Sequence, residues 1–189
     1  MAYSKDEIIQ KIRDAASAAG INSDVAVAQA QAESNFNPNA RSGVGAEGLF
    51  QFMPGTWAVY GQGGNPYDVD DAIPAYIAYM KKLLSQFGGR YDLALAGYNW
   101  GENRNILRGW FQTGSAIDFA KIPLETANYV KKILTNAGRP DFMRPATVKA
   151  PAKITPKMNS RKPVCPVSQP SRKAVITIAP IAAKALANS

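Results

Sequence analysis

Residues 33–57 read ESNFNPNARSGVGAEGLFQFMPGTW, opening on Glu33 and closing on Trp57. Just before them runs an alanine-rich, almost uncharged segment, whose small side chains at Ala26, Ala28, Ala30 and Ala32 let neighbouring helices approach closely. After Glu33 the chain is dominated by Gly, Asn and Ser as far as Gly48, a composition that favours loop over helix. Two short apolar pieces follow, separated by Pro54 and Gly55. Glu33 therefore stands where an apolar helix gives way to a loop, the kind of segment on which function often resides. A carboxylate in that position is either solvated, as most glutamates are, or partly desolvated against apolar helices. Desolvation favours the neutral form and suits it to donate a proton.

Helix after helix flanks this stretch. Ser4 with Glu7 forms a capping-box pattern, Ile8, Ile12, Ala15 and Ala19 share a face, and Gly20 supplies a stop, which predicts a first helix over 5–19. Asn22 or Ser23 caps a second, ending between Glu33 and Asn35 ahead of Pro38. Beyond the loop, Ile73, Ile77, Met80 and Leu84 repeat with helical spacing; Asp70 or Asp71 is the expected cap, Pro74 falls in the first turn, and Gly88-Gly89 terminates the helix. Shorter helices are predicted over 92–99 and 103–112, and a longer one over 123–137, begun by Pro123 and stopped by Gly138. No stretch alternates as a strand does, so the predicted class is all-α.

Composition narrows the chemistry. The 189 residues include no histidine and one cysteine, which excludes Ser-His-Asp and Cys-His triads, the commoner zinc sites and an internal disulfide framework. The net charge of +8 is confined to one end: residues 1–139 hold 13 basic and 13 acidic groups, whereas residues 140–189 hold nine basic groups against Asp141 alone. That end also carries eight of the 13 prolines, no glycine, and Phe142 as its one aromatic residue. The chain thus divides near Gly138 into a helical domain, 1–138, and a basic proline-rich tail, 139–189, extended or ordered only on a partner. Such a tail can serve as a linker, bind polyanions such as nucleic acid or wall polymers, or dock on another protein through its apolar end, AVITIAPIAAKALA at 174–187. Pro180 and Lys184 interrupt that end, and it is too short for a membrane-spanning helix. Cys165 is either a free thiol or the site of an intermolecular disulfide. The N-terminus alternates charge with apolar residues and has no signal-peptide pattern.

Glu33, Ser34, Phe36, Pro38, Ala40, Ser42, Gly45-Ala46, Gly48-Leu49, Gln51, Met53-Pro54 and Thr56 together resemble the first signature of the lytic transglycosylases of the soluble (SLT) type, a match of many positions at fixed spacing. The segment AGYNWG, 96–101, looks like the family's second signature, and IPLETANYV, 122–130, like its closing one; NPYD, 65–68, is also similar. The resemblance covers about residues 5–138. It implies a goose-lysozyme-like helical fold, cleavage of the β-1,4 bond between N-acetylmuramic acid and N-acetylglucosamine in peptidoglycan, and neither cofactor nor metal. In this family one glutamate makes both proton transfers, and Glu33 is the matching position. It would protonate the glycosidic oxygen while the substrate's acetamido group stabilises the oxocarbenium-like centre, then take the C6 hydroxyl proton as a 1,6-anhydro ring closes. Ordinary glycosidases pair two carboxyl groups at about 5 to 9.5 Å; this pathway needs one.

The resemblance also marks companions for Glu33. Ser42 and Gln51 match positions near the acid, where they would bond the sugar, orient Glu33 or stabilise the loop. Tyr98 is the expected hydrogen-bond partner of Glu33 or of substrate, with Asn99 beside it as a substrate contact. Glu125 and Tyr129, four apart on the last predicted helix, would face the cleft floor as muropeptide contacts or supports, with a purely structural Glu125 as the alternative. Glu47 is the nearest second acid but sits at a variable position, which favours a solvent-facing side chain. Asp68, Asp70 and Asp71 suggest either metal or helix caps, and their spacing favours caps. Phe50, Phe52, Trp57, Tyr60 and Trp100 are sugar platforms or, for most, core; Trp100 and Gly97 depart from the family's usual residues. The expected function is a phage-encoded, virion-associated lytic transglycosylase that acts on the host wall and is held in the particle through the tail. The rivals are a late lysis enzyme or secretion-system accessory, a lysozyme-type hydrolase, and a non-catalytic wall-binding virion protein.

Overall fold

Ser4 Oγ accepts the Glu7 N–H and the Glu7 carboxylate accepts the Ser4 N–H, so the first helix starts on the capping box read from sequence. A computed structural model describes residues 3–143; the expectations for the tail beyond Met143, including Cys165 and the apolar end at 174–187, lie outside the described residues. Helix α1 is Lys5–Ala18. Asn22 caps α2, Ser23–Ser34, by accepting the Val25 N–H, and Asn35 ends it in the left-handed region at φ 52°. A short helix α3, Pro54–Tyr60, was not expected. Sequence reading treats Pro54-Gly55 as a break, yet Pro54 occupies the first turn, where its missing N–H has no helical acceptor to lose.

Helix α4, Val69–Gln86, is capped by Asp68, whose carboxylate accepts the Asp70 N–H; neither Asp70 nor Asp71 is the cap, and Pro74 lies inside the helix rather than in its first turn. Helices α5 (Tyr91–Trp100), α6 (Asn105–Thr113) and α7 (Leu124–Asn136) follow, with 3₁₀ turns at Phe119–Lys121 and Pro140–Met143. Extended pairing among the described residues is limited to isolated bridges of Glu47 with Arg41 and Phe52. No described helix is long and apolar enough to cross a membrane.

Small and large side chains share the core as the pattern required. Ala26 and Ala30 of α2 are fully buried, and α2 lies against α1 on one side and α7 on the other. Helix α5 packs on both α4 and α7, and its residues from Asp92 to Asn99 are all buried. Gly97 has a packing reason: a Cβ there would stand 3.1 Å from the Phe87 ring and 3.3 Å from the Glu102 Cα. The α7 end continues past Gly138, with Phe142 stacked on Tyr91 at 4.7 Å and the Arg139 guanidinium 3.5 Å from the Phe142 ring centre.

Asp92, in the first turn of α5, accepts the Leu93 N–H. It is buried and takes both Nε and Nη2 of Arg90, at 3.1 and 2.5 Å, while Arg90 Nη1 donates to the Ser115 carbonyl. Removing one partner of such a pair strands a charge in the core. Asp92→Ala is expected to cost about 3 kcal/mol, read by urea denaturation against the parent chain; a change under about 0.5 kcal/mol would show that the pair is not structural.

Candidate active site

Glu33 lies in the last turn of α2, half-buried, and its Oε1 accepts a hydrogen bond of 2.7 Å from the Tyr129 hydroxyl of α7. Tyr129 in turn accepts from Gln29 Nε2 at 3.0 Å, and Gln29 Oε1 accepts from the Tyr76 hydroxyl of α4, also at 3.0 Å. Gln29 and Tyr76 are both fully buried. Neither was a site candidate from sequence, although Gln29 precedes Glu33 by four residues and so shares its helix face. Tyr129 therefore enters the site as a hydrogen-bond donor to the acid, a role more specific than the substrate contact expected of it. Burial pushes the phenols of Tyr76, Tyr98 and Tyr129 well above their ordinary range, and the nearby Glu33 carboxylate adds to the shift in each. All three remain protonated, so each can act as a donor.

The Gly/Asn loop is tied to the end of α2. The Ser34 hydroxyl donates to the Leu49 carbonyl at 2.7 Å, and Tyr98 of α5 donates to the Phe50 carbonyl at 3.0 Å. Tyr98 thus holds the loop while lying within electrostatic reach of Glu33; the hydrogen bond to Oε1 comes from Tyr129. Ser42 Oγ accepts the Ala46 N–H, closing a turn, and Gln51 Nε2 donates to the Ala40 and Gly48 carbonyls. Both hold the loop, one of the roles expected of them beside bonding the sugar or orienting Glu33. Gln51 is buried at φ 50°, a strained setting for a residue with a side chain.

Asn99 is buried and its Oδ1 accepts from Thr126 Oγ1 at 2.6 Å, joining α5 to α7 rather than standing on an open surface. Glu125 is half-buried in the first turn of α7. Of the aromatic candidates, Phe50 and Phe52 are core, Phe50 stacking on Tyr76 at 3.9 Å; Trp57, Tyr60 and Trp100 are partly buried against that core. The Arg104 guanidinium lies 4.7 Å from the Trp100 ring.

The other acids have separate employment. Glu47 is half-buried rather than solvent-facing, lies 3.7 Å from Arg41 Nε and helps to raise the Tyr67 phenol, on which burial acts most. Asp68 caps α4, Asp70 pairs with Lys11 and Tyr3, and Asp71 accepts the Asn65 N–H. Glu102, not singled out in the sequence, accepts from Lys82 Nζ at 2.7 Å and from the Tyr79 hydroxyl at 2.9 Å. Burial alone would raise its carboxyl, but these donors hold it below the ordinary range. No group of three or more His, Cys, Asp or Glu side chains among the described residues is arranged to hold a metal ion.

These features define a helical domain organised on one carboxylate at a helix–loop junction, donated to by a half-buried tyrosine. The model of the transglycosylase SLT domain matches residues 10–119, and the chain belongs to that family. It is 37% identical over 111 residues to membrane-bound lytic murein transglycosylase D of Escherichia coli K12, covering 54% of this chain and 25% of that protein. It is 33% identical over 141 residues to peptidoglycan transglycosylase gp16 of Escherichia phage T7, covering 71% of this chain and 10% of the phage protein. Among solved structures, the 70 kDa soluble lytic transglycosylase SLT70 of Escherichia coli superposes with a TM-score of 0.58 at 28% identity, over 76% of this chain and 26% of that one. A complex of the 70 kDa soluble lytic transglycosylase with bulgecin A gives 0.57 at 27% identity, over 71% and 23%. The lysozyme-like helical fold expected from sequence is the one observed. The chain spans a quarter of the first relative's length and a tenth of the phage protein's.

Proposed function

We propose that this chain is a peptidoglycan lytic transglycosylase that cleaves the β-1,4 bond between N-acetylmuramic acid and N-acetylglucosamine and leaves a 1,6-anhydro product. The observation that carries the reading is the Tyr129 hydroxyl bonded to a half-buried Glu33 at the end of α2, within the signature shared with the SLT family. Neutral Glu33 protonates the glycosidic oxygen as the C1–O bond breaks, and the departing sugar leaves as an alcohol. The substrate's acetamido group supports the positive centre. Glu33, now a carboxylate, takes the C6 hydroxyl proton as that oxygen closes on C1, which regenerates the acid. Water is consumed at no step. Glu47 pairs with Arg41, and Glu102 with Lys82 and the Tyr79 phenol, which favours a one-carboxylate route over a lysozyme-type pair.

Around that centre, Ser42, Gln51, Tyr98 and Asn99 act by holding the loop and α5 in register, and Glu125 contributes a muropeptide contact. The mass of the muropeptides released from purified peptidoglycan tests the reading. Products one water lighter than hydrolytic ones support it, reducing-end products shift it to hydrolysis, and no release overturns it. Tyr129→Phe removes the donor to Glu33 without emptying the site, so kcat is expected to fall about tenfold with KM little changed. Wild-type turnover by that variant would remove Tyr129 from the machinery.

The wider role proposed is a phage virion component that opens the host wall during genome delivery. Its support is the family's presence in phages, through the T7 protein and a transglycosylase of phage PRD1, together with the basic proline-rich tail. The enzyme unit is assigned to the residues before the tail, which binds a virion protein or a polyanion. Because Phe142 packs on Tyr91, a chain ending at Met143 is expected to melt with the full chain and to keep its activity, and one ending at Gly138 to melt lower. Equal melting of all three would mean that residues 139–143 contribute nothing. Absence of the chain from purified particles would overturn the virion role.

A further inference from the structure

We propose that Gln29 and Tyr76 are positioning residues that lock the Tyr129 phenol as donor to Oε1 of Glu33. The inference rests on the acid–base role of Glu33 proposed above and assigns two residues within it.

The direction of the chain follows from counting protons. A neutral phenol has one proton to donate, and Tyr76, fully buried in α4, gives its proton to Gln29 Oε1. That bond fixes which end of the amide faces which way. The acceptor end is taken by Tyr76, and the NH₂ end points to the Tyr129 oxygen. With its oxygen accepting from Gln29, Tyr129 directs its own proton onward to Glu33 Oε1. The opposite polarity would have Glu33 donate to Tyr129, and the catalytic proton would be spent on an internal bond. A phenol held in this polarity keeps one oxygen of Glu33 as an acceptor through the reaction.

Burial makes the lock a costly feature to maintain without purpose. Gln29 has no exposed surface and stands among Ala26, Ala28 and Ala30, where an apolar residue would pack with no polar group to satisfy. It shares the Glu33 face of α2, while its two partners come from α4 and α7, so three helices converge on one hydrogen-bond chain. Phenols bear on Glu33 from three of the helices packed around it, Tyr129 from α7, Tyr98 from α5 and Tyr76 from α4, and the Glu125 carboxylate stands one turn before Tyr129 on α7.

The test compares Gln29→Leu, Gln29→Glu and Tyr76→Phe with the full wild-type chain, measuring kcat, KM and the pH–rate profile of peptidoglycan cleavage, with circular dichroism as the check on folding. Gln29→Leu and Tyr76→Phe are expected to lower kcat about tenfold, to leave KM within about twofold, and to move the pH of maximal rate upward, because the ionised acid loses an aligned donor. Gln29→Glu is expected to be worse, since a carboxylate at 29 draws the Tyr129 proton away from Glu33. Folded variants with wild-type kcat and pH profile, differing only in melting temperature, would overturn the proposal. Should the Gln29 variants fail to fold, Tyr76→Phe, which loses a single oxygen, is judged by the same criteria. Side-chain amide NMR of Gln29 gives a readout independent of turnover: slow proton exchange that is lost in Tyr129→Phe and Tyr76→Phe supports the lock, and an amide indifferent to both overturns it. A wild-type chain that shows this amide behaviour but releases no product dependent on Glu33 would sink the acid–base reading while leaving the hydrogen-bond chain established.

Discussion

Glu33→Gln is expected to lower kcat for muropeptide release by about a thousandfold or more while leaving the helical fold and its melting temperature nearly unchanged. The amide is close to isosteric, and its carbonyl oxygen can still accept from Tyr129, so the bond that ties α2 to α7 survives the substitution. What disappears is the proton. Glu47 is paired with Arg41 and Glu102 with Lys82, so neither is offered as a substitute acid. KM is expected to move little, since the sugar contacts away from the bond being broken are retained. Comparable product release by the variant, measured by mass spectrometry on the same peptidoglycan, would remove Glu33 from the catalytic role and the one-carboxylate mechanism with it.

Gly48→Ala is expected to be the most damaging single methyl in the described chain, at roughly 3 kcal/mol or more of stability in denaturant unfolding. Two costs coincide there. The backbone sits at φ +76°, where a Cβ is disfavoured, and that Cβ would fall 1.8 Å from the Pro66 carbonyl oxygen and 2.8 Å from its carbon. Both are backbone atoms, so no side-chain rotation relieves the overlap. Either the 64–68 segment lifts away or the loop gives up the Gly48 N–H bond to Ala40 and the Gln51 bonds to Ala40 and Gly48. The Leu49 and Phe50 carbonyls, which receive Ser34 and Tyr98, are carried on the same loop, so activity is expected to fall with stability. Gly43→Ala is the control: a Cβ there meets nothing within 4 Å, and its expected effect is within about 0.5 kcal/mol. Equal behaviour of the two variants would mean that the Gly48–Pro66 contact does not constrain the loop.

Local chemistry accounts for what could be read without coordinates. The Ser4/Glu7 box, the Asn22 cap, the stop after Pro123–Ala137 and the alanine face of α2 each involve residues within a few positions of one another. Errors arose where a residue had two local uses. Pro54-Gly55 can break a helix or begin one, and α3 begins there; Asp68, Asp70 and Asp71 can each cap, and the earliest does, freeing Asp70 for Lys11 of α1. Glu47 was read as solvent-facing because nothing local covers it, whereas Arg41 and Tyr67 do so across the loop.

The sequence by itself determined the all-helical class, the position of Glu33 at the end of an apolar helix, and the family, because these depend on side-chain periodicity and on a signature of adjacent residues. Only the tertiary structure decided which groups serve that acid. Tyr129 is 96 positions from Glu33 and Tyr76 is 47 from Gln29, and no local rule pairs them. Tyr98 was expected to partner Glu33 or substrate; Tyr129 donates to Oε1 because the packing of α2 against α7 sets that distance, and the Tyr98 hydroxyl of α5 donates to the Phe50 carbonyl. A hydrogen bond depends on tenths of an ångström and on angle, and those are fixed by how whole helices pack.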